Sequence, residues 1–469
     1  MASPRQPSMS DLRAIVAEQK TIIAEQKAHI ERLENIVKQQ AERITELEKK
    51  LDEKGKPPPP GFVKANRKKK PDGEKKQNRT KRSTNHARKL EPCTEEVLHA
   101  VESCPDCGRK LSDGWEHGRR QVLDLPETRY IVRDHVLIGR YCGQCKRRHI
   151  PKIDLSGEVT GKHRVSIRVM ALVAYLKTEC RQSLRQIREL LEAIYGLKLS
   201  DGAVTKIAHK VAAWGREEYE KLRQEVRSSP VVHADETGWR EDGINGYLWT
   251  FVNERLRFFV RDRSRGSAVP LEVLGEAFDG VLVSDFYSGY GPLECTKQRC
   301  WVHLLRDLDE LTEDHADHKG IARWVERIRS LYEHALAYRR EQLAYEGDVT
   351  MALRKRRQRA RREFERRLLS QVRRYLSKRD DPRHTLSKRI EKFVYEMFVF
   401  VEHPAVPPEN NLAERALRPA VIHRKVCGGT RSARGSETMA TLRSLFGTWR
   451  LQGHDLLAAC QDLLTPHTA

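Results

Sequence analysis

PVVHADETGWR (230–240) and GVLVSDFYSGY (280–290) repeat one arrangement: a short β-branched apolar run that reaches an aspartate, Asp235 in the first and Asp285 in the second. Each reads as a buried strand that stops with a carboxylate at the edge of a sheet. Two further strands, YLWTFVN (247–253) and RLRFFVRD (255–262), lie between them and read as a hairpin. Taken singly, each aspartate reads more readily as a turn-forming cap, a common use of this residue. The repetition of the pattern weakens that reading for both. Glu236 should face away from Asp235, because side chains alternate along a strand.

A third carboxylate, Glu414, opens a helix in PPENNLAERALRP (407–419). Here Asn411-Leu-Ala-Glu414 also fits a capping box, and Glu414 with Arg418 fits an ordinary i,i+4 pair. Two strand-borne aspartates and one helix-borne glutamate offer the oxygen ligands that hard cations prefer. Two Mg²⁺ (or Mn²⁺) ions about 3.5–4 Å apart stabilise both the attacking and the leaving oxygen of a phosphodiester displacement. Asp235, Asp285 and Glu414 are therefore the candidate catalytic and metal-ligating residues.

Several flanking features fit the same chemistry. In CWVH (300–303), His303 reads as a hydrogen-bonding residue at the scissile phosphate or metal cluster, or else as a core histidine at a helix start. Arg415 and Arg418 are placed to hold phosphates, and Asn410 and Asn411 to position the helix start or touch DNA. HRKVCGGTRSARGSE (423–437) lacks the spacing of a nucleotide-binding P-loop. Its Arg431 and Arg434 could approach a DNA backbone, with a flexible turn as the other reading. Residues 303–400 read as helical and very basic, above all MALRKRRQRARREFERRLLSQVRRYLSKR (351–379), to which the pattern assigns no role.

The 469 residues carry 88 Lys+Arg against 66 Asp+Glu, a net charge of +22, which favours a polyanionic partner. No segment approaches the roughly 20 apolar residues of a membrane span, and MASPRQPSMSDLR has no apolar signal core. A reducing cytoplasm is the expected compartment, with the ten cysteines used for metal binding or burial rather than a disulfide framework.

Upstream, Val16, Ile23, Ile30, Val37, Ile44 and Leu51 form an a series, with Leu12, Gln19, Gln26, Leu33, Gln40 and Leu47 at d. That is a coiled-coil pattern favouring a parallel homodimer. The proline run at 57–60 detaches it from the body, against the alternative of a helix packed on its own chain. Residues 56–90 are basic with few apolar side chains, and read as a flexible linker along DNA phosphates or a solubilising tether. Cys104-Pro-Asp-Cys107 and Cys142-Gly-Gln-Cys145 are two knuckles able to close four thiolates on one structural Zn²⁺. The intervening QVLDLPETRYIVRDHVLIGRY (121–141) reads as strands, and Cys93, His117 and His149 are substitute ligands. Residues 164–226 read as helical. SLRQIRELLEAIYG, LKLS and DGAVTKIAHKVAAW (183–214) suggest helix, turn, helix, ended by Gly196 and restarted by a Ser200 cap. The second helix would bring Lys206, His209 and Lys210 to a major groove, unless the pair is an ordinary helical hairpin.

HADETGWR, LVSDFYSGY, CWVH and NNLAERALRP, together with CPDCG, CGQC and the N-terminal heptads, resemble the bacterial insertion sequence 66 family of transposases over nearly the whole chain. The resemblance implies a ribonuclease H-like catalytic domain with a DDE triad of Asp235, Asp285 and Glu414. It also implies binding of an element's terminal inverted repeats, and metal-dependent cleavage and strand transfer on double-stranded DNA. The expected class is multidomain α+β. It comprises a coiled coil (1–55), linker (56–92), zinc-ribbon-like module (93–160) and helix-turn-helix-like segment (161–228). An α/β catalytic core follows in two parts (229–302 and 404–469), interrupted by a helical insertion (303–403). Higher oligomers and small accessory proteins of the same element are further expected partners. The competing expectation is a non-catalytic zinc and coiled-coil DNA-binding protein, a domesticated transposase or regulator.

Overall fold

A computed structural model describes residues 92–465 apart from 113 and 162, with scattered residues between 26 and 45 in helical conformation. Of the heptad positions, only Gln26, Ile30, Leu33 and Gln40 are among the described residues, and the 56–90 linker lies outside them. The chain divides into two units, 1–123 and 124–469.

In the first unit, Cys104 to Cys107 form a tight turn. The Gly108 amide donates to the Cys104 carbonyl at 2.9 Å, and Gly108 takes a positive φ of 72°. The second unit begins with a small hairpin, β1 (Arg140–Cys142) paired antiparallel to β2 (Arg147–His149), which carries Cys142 and Cys145 at its turn. The expected strands across 121–141 reduce to β1, with residues 121–139 outside any strand. Their alternating apolar pattern is real, but a strand exists only with a partner. What this stretch does bond is a helix end, through Tyr130 N–H to the Tyr195 carbonyl at 2.9 Å.

Four helices follow: α1 (Ile167–Thr178), α2 (Leu184–Tyr195), α3 (Asp201–Trp214) and α4 (Arg216–Arg227). Ser183 and Gln186 form a capping box on α2, Gly196 closes it in the left-handed region, and the Ser200 hydroxyl accepts from the Ala203 amide to start α3. These local signals act as the sequence suggests.

The sheet has five strands in the order β5-β4-β3-β6-β7. They are β3 (Val231–Glu241), β4 (Ile244–Val252), β5 (Arg257–Asp262), β6 (Ala277–Ser284) and β7 (Glu294–Arg299), with α5 (Ala268–Leu274) connecting β5 to β6. β3 pairs antiparallel with β4, and β4 with β5, while β3–β6 and β6–β7 are parallel. Two features differ from the sequence reading. β3 does not stop at Asp235; it runs on to Glu241 and turns through Asp242-Gly243, both with positive φ (50° and 77°). Such a two-residue turn matches the twist of its flanking strands. β7 is formed by Glu-Cys-Thr-Lys-Gln-Arg, whose polar composition hides a strand.

A helical insertion follows β7: α6 (Trp301–Asp314), α7 (Lys319–Leu343), α8 (Met351–Val372), α9 (His384–Phe393) and the single turn α10 (Val399–Glu402). The chain ends in α11 (Asn411–Cys427), α12 (Ala433–Leu451) and α13 (Leu456–Leu464). Of the glycine-rich stretch 423–437, only 428–432 lies outside these helices, with Gly428 as the left-handed cap of α11.

Three apolar clusters organise the unit. Trp249, Phe251 and Phe258 face α1–α4, α12 and α13, whereas Leu248, Val252 and Phe259 face Ala413, Ala416, Leu417 and Ala420 of α11. Strand alternation thus gives β4 and β5 two buried faces. The insertion builds its own core around Trp301, Trp324, Phe398 and Phe400 and attaches it to β6 through Val281 and Val283. Among the described residues, no helix is long and apolar enough to cross a membrane.

Candidate active site

Asp235 sits mid-strand, yet its neighbour on one side has already ended. Parallel pairing of β3 with β6 runs from Val231↔Val281 to His233↔Val283, and β6 stops at Ser284. The carboxylate therefore projects where the sheet has lost a strand. Its Oδ1 accepts from the Glu236 amide at 2.8 Å. Burial, aided by the charges of Glu236, Asp285 and Glu414, pushes its pKa up to about 8. Asp285 and Glu414 thus lie close enough to Asp235 to resist its ionisation.

Asp285 is fixed from both ends. Its side chain accepts from the Tyr287 amide at 2.9 Å, the turn that the sequence offered as its alternative role. Its backbone carbonyl accepts from Arg299 Nη1 at 2.8 Å. Arg299 is wholly buried at the end of β7, pairs with Glu396 at 2.5 Å, bonds the Ser284 hydroxyl and lies over the Phe393 ring. No pattern in the sequence announces this clamp, because Glu396 and Phe393 come from the far end of the insertion.

Glu414 does not form the capping box. The cap residue of α11 is Asn410, and the Asn410 side chain makes no capping bond. It instead donates to the Ala234 carbonyl at 2.8 Å and contacts His233 Nδ1 at 3.1 Å, while its backbone amide donates to Cys300 Sγ at 3.2 Å. Asn410 is fully buried and ties the start of α11 to β3 beside Asp235 and to the start of α6. Burial holds His233 neutral, with a pKa lowered to about 4.

The Glu414 carboxylate turns away from its own helix end. Oε1 lies 3.8 Å from His303 Nε2, and Oε2 lies 3.7 Å from Arg306. Both Glu414 Oε1 and His303 Nδ1 are buried without a hydrogen-bond partner. One ligand atom each from Cys300, His303 and Glu414 lie within 4.8 Å of one another. Cys300 is buried, its thiol held above the usual range by desolvation while its sulfur accepts backbone amides. That chemistry suits a brace between α6 and α11 better than a ligand for a hard cation. Orphaned buried oxygen and nitrogen, beside carboxylates that repel one another, fit a divalent cation.

A cavity of about 260 Å³ opens beside Asp285, lined by it and by Phe286, Tyr287, His303, Asp307, Arg389 and Phe393. Glu236 points elsewhere, to Arg265 at 2.9 Å and the Tyr290 hydroxyl at 2.7 Å. Arg299 and Arg306 are the residues at this site that the motifs did not single out, whereas Asn410 positions the helix start, one of the two roles its motif offered.

The other candidates are dispersed. Lys206, Arg415, Arg418, Arg431 and Arg434 are exposed. Lys210 is not free to enter a groove, because its ammonium donates to the Thr160 carbonyl at 2.8 Å. His209 bonds Thr438 at 2.7 Å, and α3 buries Val204, Ile207, Ala208 and Val211 against its neighbours, which makes it a core helix. At the knuckles, amides of Cys107 and Asp106 hold the Cys104 thiol below its usual range, and those of Cys145 and Gln144 do so for Cys142. Cys145 Sγ lies 3.7 Å from His149 Nε2.

The family model described as Transposase IS66 family matches residues 162–438, more than half of the chain. The match contains Asp235, Asp285, His303 and Glu414 and leaves the four knuckle cysteines outside it. Among curated proteins, the uncharacterized protein y4hP of Sinorhizobium fredii (strain NBRC 101917 / NGR234) is similar. It is 21% identical over 397 residues, covering 78% of this chain and 71% of the relative.

Proposed function

This chain belongs to the IS66 family of transposases, and on that premise we propose that it binds the terminal inverted repeats of an insertion sequence and cleaves and transfers DNA strands. The observation that carries the reading is the convergence of three carboxylates from separate elements. Asp235 from β3, Asp285 from the end of β6 and Glu414 from the first turns of α11 share one electrostatic neighbourhood. The strand order β5-β4-β3-β6-β7, with one antiparallel hairpin side and one parallel side, supports a ribonuclease H-like core.

Asp235, Asp285 and Glu414 would hold two Mg²⁺ or Mn²⁺ ions. When bound, these supply activation of the attacking oxygen and stabilisation of the leaving one. The chain's own residues set the geometry. Arg299 fixes the Asp285 backbone, and Asn410 and Cys300 fix the start of the Glu414 helix. His303, beside Glu414 and lining the cavity, is placed to hydrogen-bond a scissile phosphate. Arg415, Arg418, Arg431, Arg434 and Lys206 are exposed cations for the DNA backbone. From their spacing, Cys104, Cys107, Cys142 and Cys145 are proposed to hold one structural Zn²⁺. The heptads would pair protomers, which suits a reaction that joins two DNA ends.

The decisive assay uses purified protein, a labelled element end, a target plasmid and Mg²⁺ or Mn²⁺. Asp235→Asn and Asp285→Asn are expected to lose nicking and joining by at least a hundredfold while retaining end-binding. Cleavage at the wild-type rate by either variant would sink the triad. End-binding by the wild type without any nicking would favour a non-catalytic DNA-binding protein.

A further inference from the structure

Helix α8 sorts its cations by direction. On its inner side Arg357 is buried and donates to Gln342 at 2.9 Å, and Arg361 pairs with Glu365 and Glu402, each at 2.8 Å. On the opposite side Lys355, Arg359, Arg362 and Arg366 follow one another at spacings of four, three and four residues, and all four are exposed. At 100° per residue these positions form one straight stripe, diametrically opposite Phe364 and Leu368, which are buried. Arg366 pairs with Glu363, whereas Lys355, Arg359 and Arg362 form no ion pair among the described residues. Exposed Arg354, Arg356 and Arg367 flank the stripe.

An ordinary solvated helix of this same chain looks different. On α4, Arg216 pairs with Glu220, and Lys221 with Glu217 and Glu218, so these two exposed cations have a carboxylate one turn away, while exposed Arg227 bonds the Val273 and Glu272 carbonyls. In α8 the outward like charges at i,i+3 and i,i+4 repel one another, which disfavours an isolated helix. Of the nearby acids, Glu365 and Glu402 pair with Arg361, and Arg362 feels the charge of Glu365 without pairing with it. Solubility does not require this separation; a polyanion does.

We infer that the outer stripe of α8, Lys355-Arg359-Arg362-Arg366, is a binding surface for the phosphate backbone of duplex DNA. Over 11 residues it spans about 16 Å at 1.5 Å per residue, roughly five base pairs at 3.4 Å per step. The stripe offers guanidinium forks and an ammonium without an apolar or aromatic platform among them, so it positions the duplex and reads no sequence. The assignment rests on the reading of the chain as an enzyme acting on DNA, and gives the insertion between Asp285 and Glu414 a task.

The test is the salt dependence of binding by the full chain to a fluorescent duplex of unrelated sequence, with divalent cations chelated. Each phosphate neutralised contributes about 0.9 to the slope of log K against log salt. K355Q/R359Q/R362Q is expected to lower that slope by about 2–3, while R216Q/K221Q on α4 leaves it unchanged. Removing repulsion should leave the melting temperature of the stripe variant equal or higher, which separates lost contacts from lost folding. An unchanged slope in the stripe variant overturns the assignment, as does an equal loss per charge in the α4 variant. So does a loss confined to binding of anionic phospholipid vesicles. Metal-dependent nicking is measured in parallel. Nicking retained alongside an unchanged slope removes the α8 surface and leaves the proposed chemistry standing.

Discussion

At the scale of single residues, the site is an arrangement that the protein alone does not favour. Asp235 is mostly buried among other carboxylates, and its pKa is pushed up to about 8. A carboxyl whose folded pKa lies above its unfolded value near 4 imposes no cost below pH 4 and a growing cost as pH rises toward 8. Each unit is about 1.4 kcal/mol, so the ionised site is disfavoured by several kcal/mol at pH 8 in the absence of a cation. Asp235→Asn removes the charge and keeps the shape. In chelator at pH 8 the variant is expected to melt several degrees above wild type, with the gap closing toward pH 4. Adding Mg²⁺ should raise the wild type only. A variant that melts lower at pH 8 contradicts the crowded-carboxylate account. The same scale explains why Glu414 resisted reading. Asn411-Leu-Ala-Glu414 has the spacing of a capping box, but the cap is one residue earlier, Asn410, which puts Glu414 at the fourth helical position rather than the third. Asn410 forgoes capping because His233 and Ala234, far upstream, give its amide buried partners.

At the scale of elements, local chemistry fixed the caps and turns and failed where a partner strand was needed. Ser183, Gly196 and Ser200 act through bonds that span only a few residues, so their roles were legible. The continuation of β3 through Asp235 was signalled by Asp242-Gly243, a hairpin dipeptide whose pairing of Trp239 with Gly246 makes the polar DETGWR stretch a strand. The expected edge position of Asp235 was wrong about β3 and right about β6, which does end there. The join between α11 and α12 depends on Gly429, whose φ is 112° and whose missing side chain would lie 2.2 Å from the Arg240 carbonyl oxygen. That approach lets Thr430 N–H bond Arg240 O at 2.9 Å and Asp242 N–H bond Thr430 O at 2.8 Å, docking the α11–α12 turn on the hairpin. Gly429→Ala combines backbone strain with a steric clash, and is expected to cost about 2–4 kcal/mol in a denaturant titration. A loss below about 0.5 kcal/mol would show that the turn tolerates displacement.

At the scale of the whole molecule, the heptads at 12–51 make a prediction that needs no tertiary structure. Deleting residues 1–55 should convert the protein from a dimer to a monomer in light scattering without changing the melting of the remainder. A dimer that survives the deletion would relocate the interface. Legible in the amino-acid pattern alone were an α/β core within the expected multidomain α+β class, the helix-turn-helix pattern at 183–214, four strands of the sheet and the three carboxylates worth watching. Each of these is written in apolar periodicity, capping residues or a repeated strand–aspartate pattern, all of which act over a few residues. Packing in the folded chain alone settled that Glu414 faces His303 rather than its own cap, that Lys210 is bound to Thr160 and that α8 segregates its cations. Those outcomes depend on partners from the far side of the sheet or insertion, and a buried polar group takes whichever partner the folded chain brings within about 3 Å.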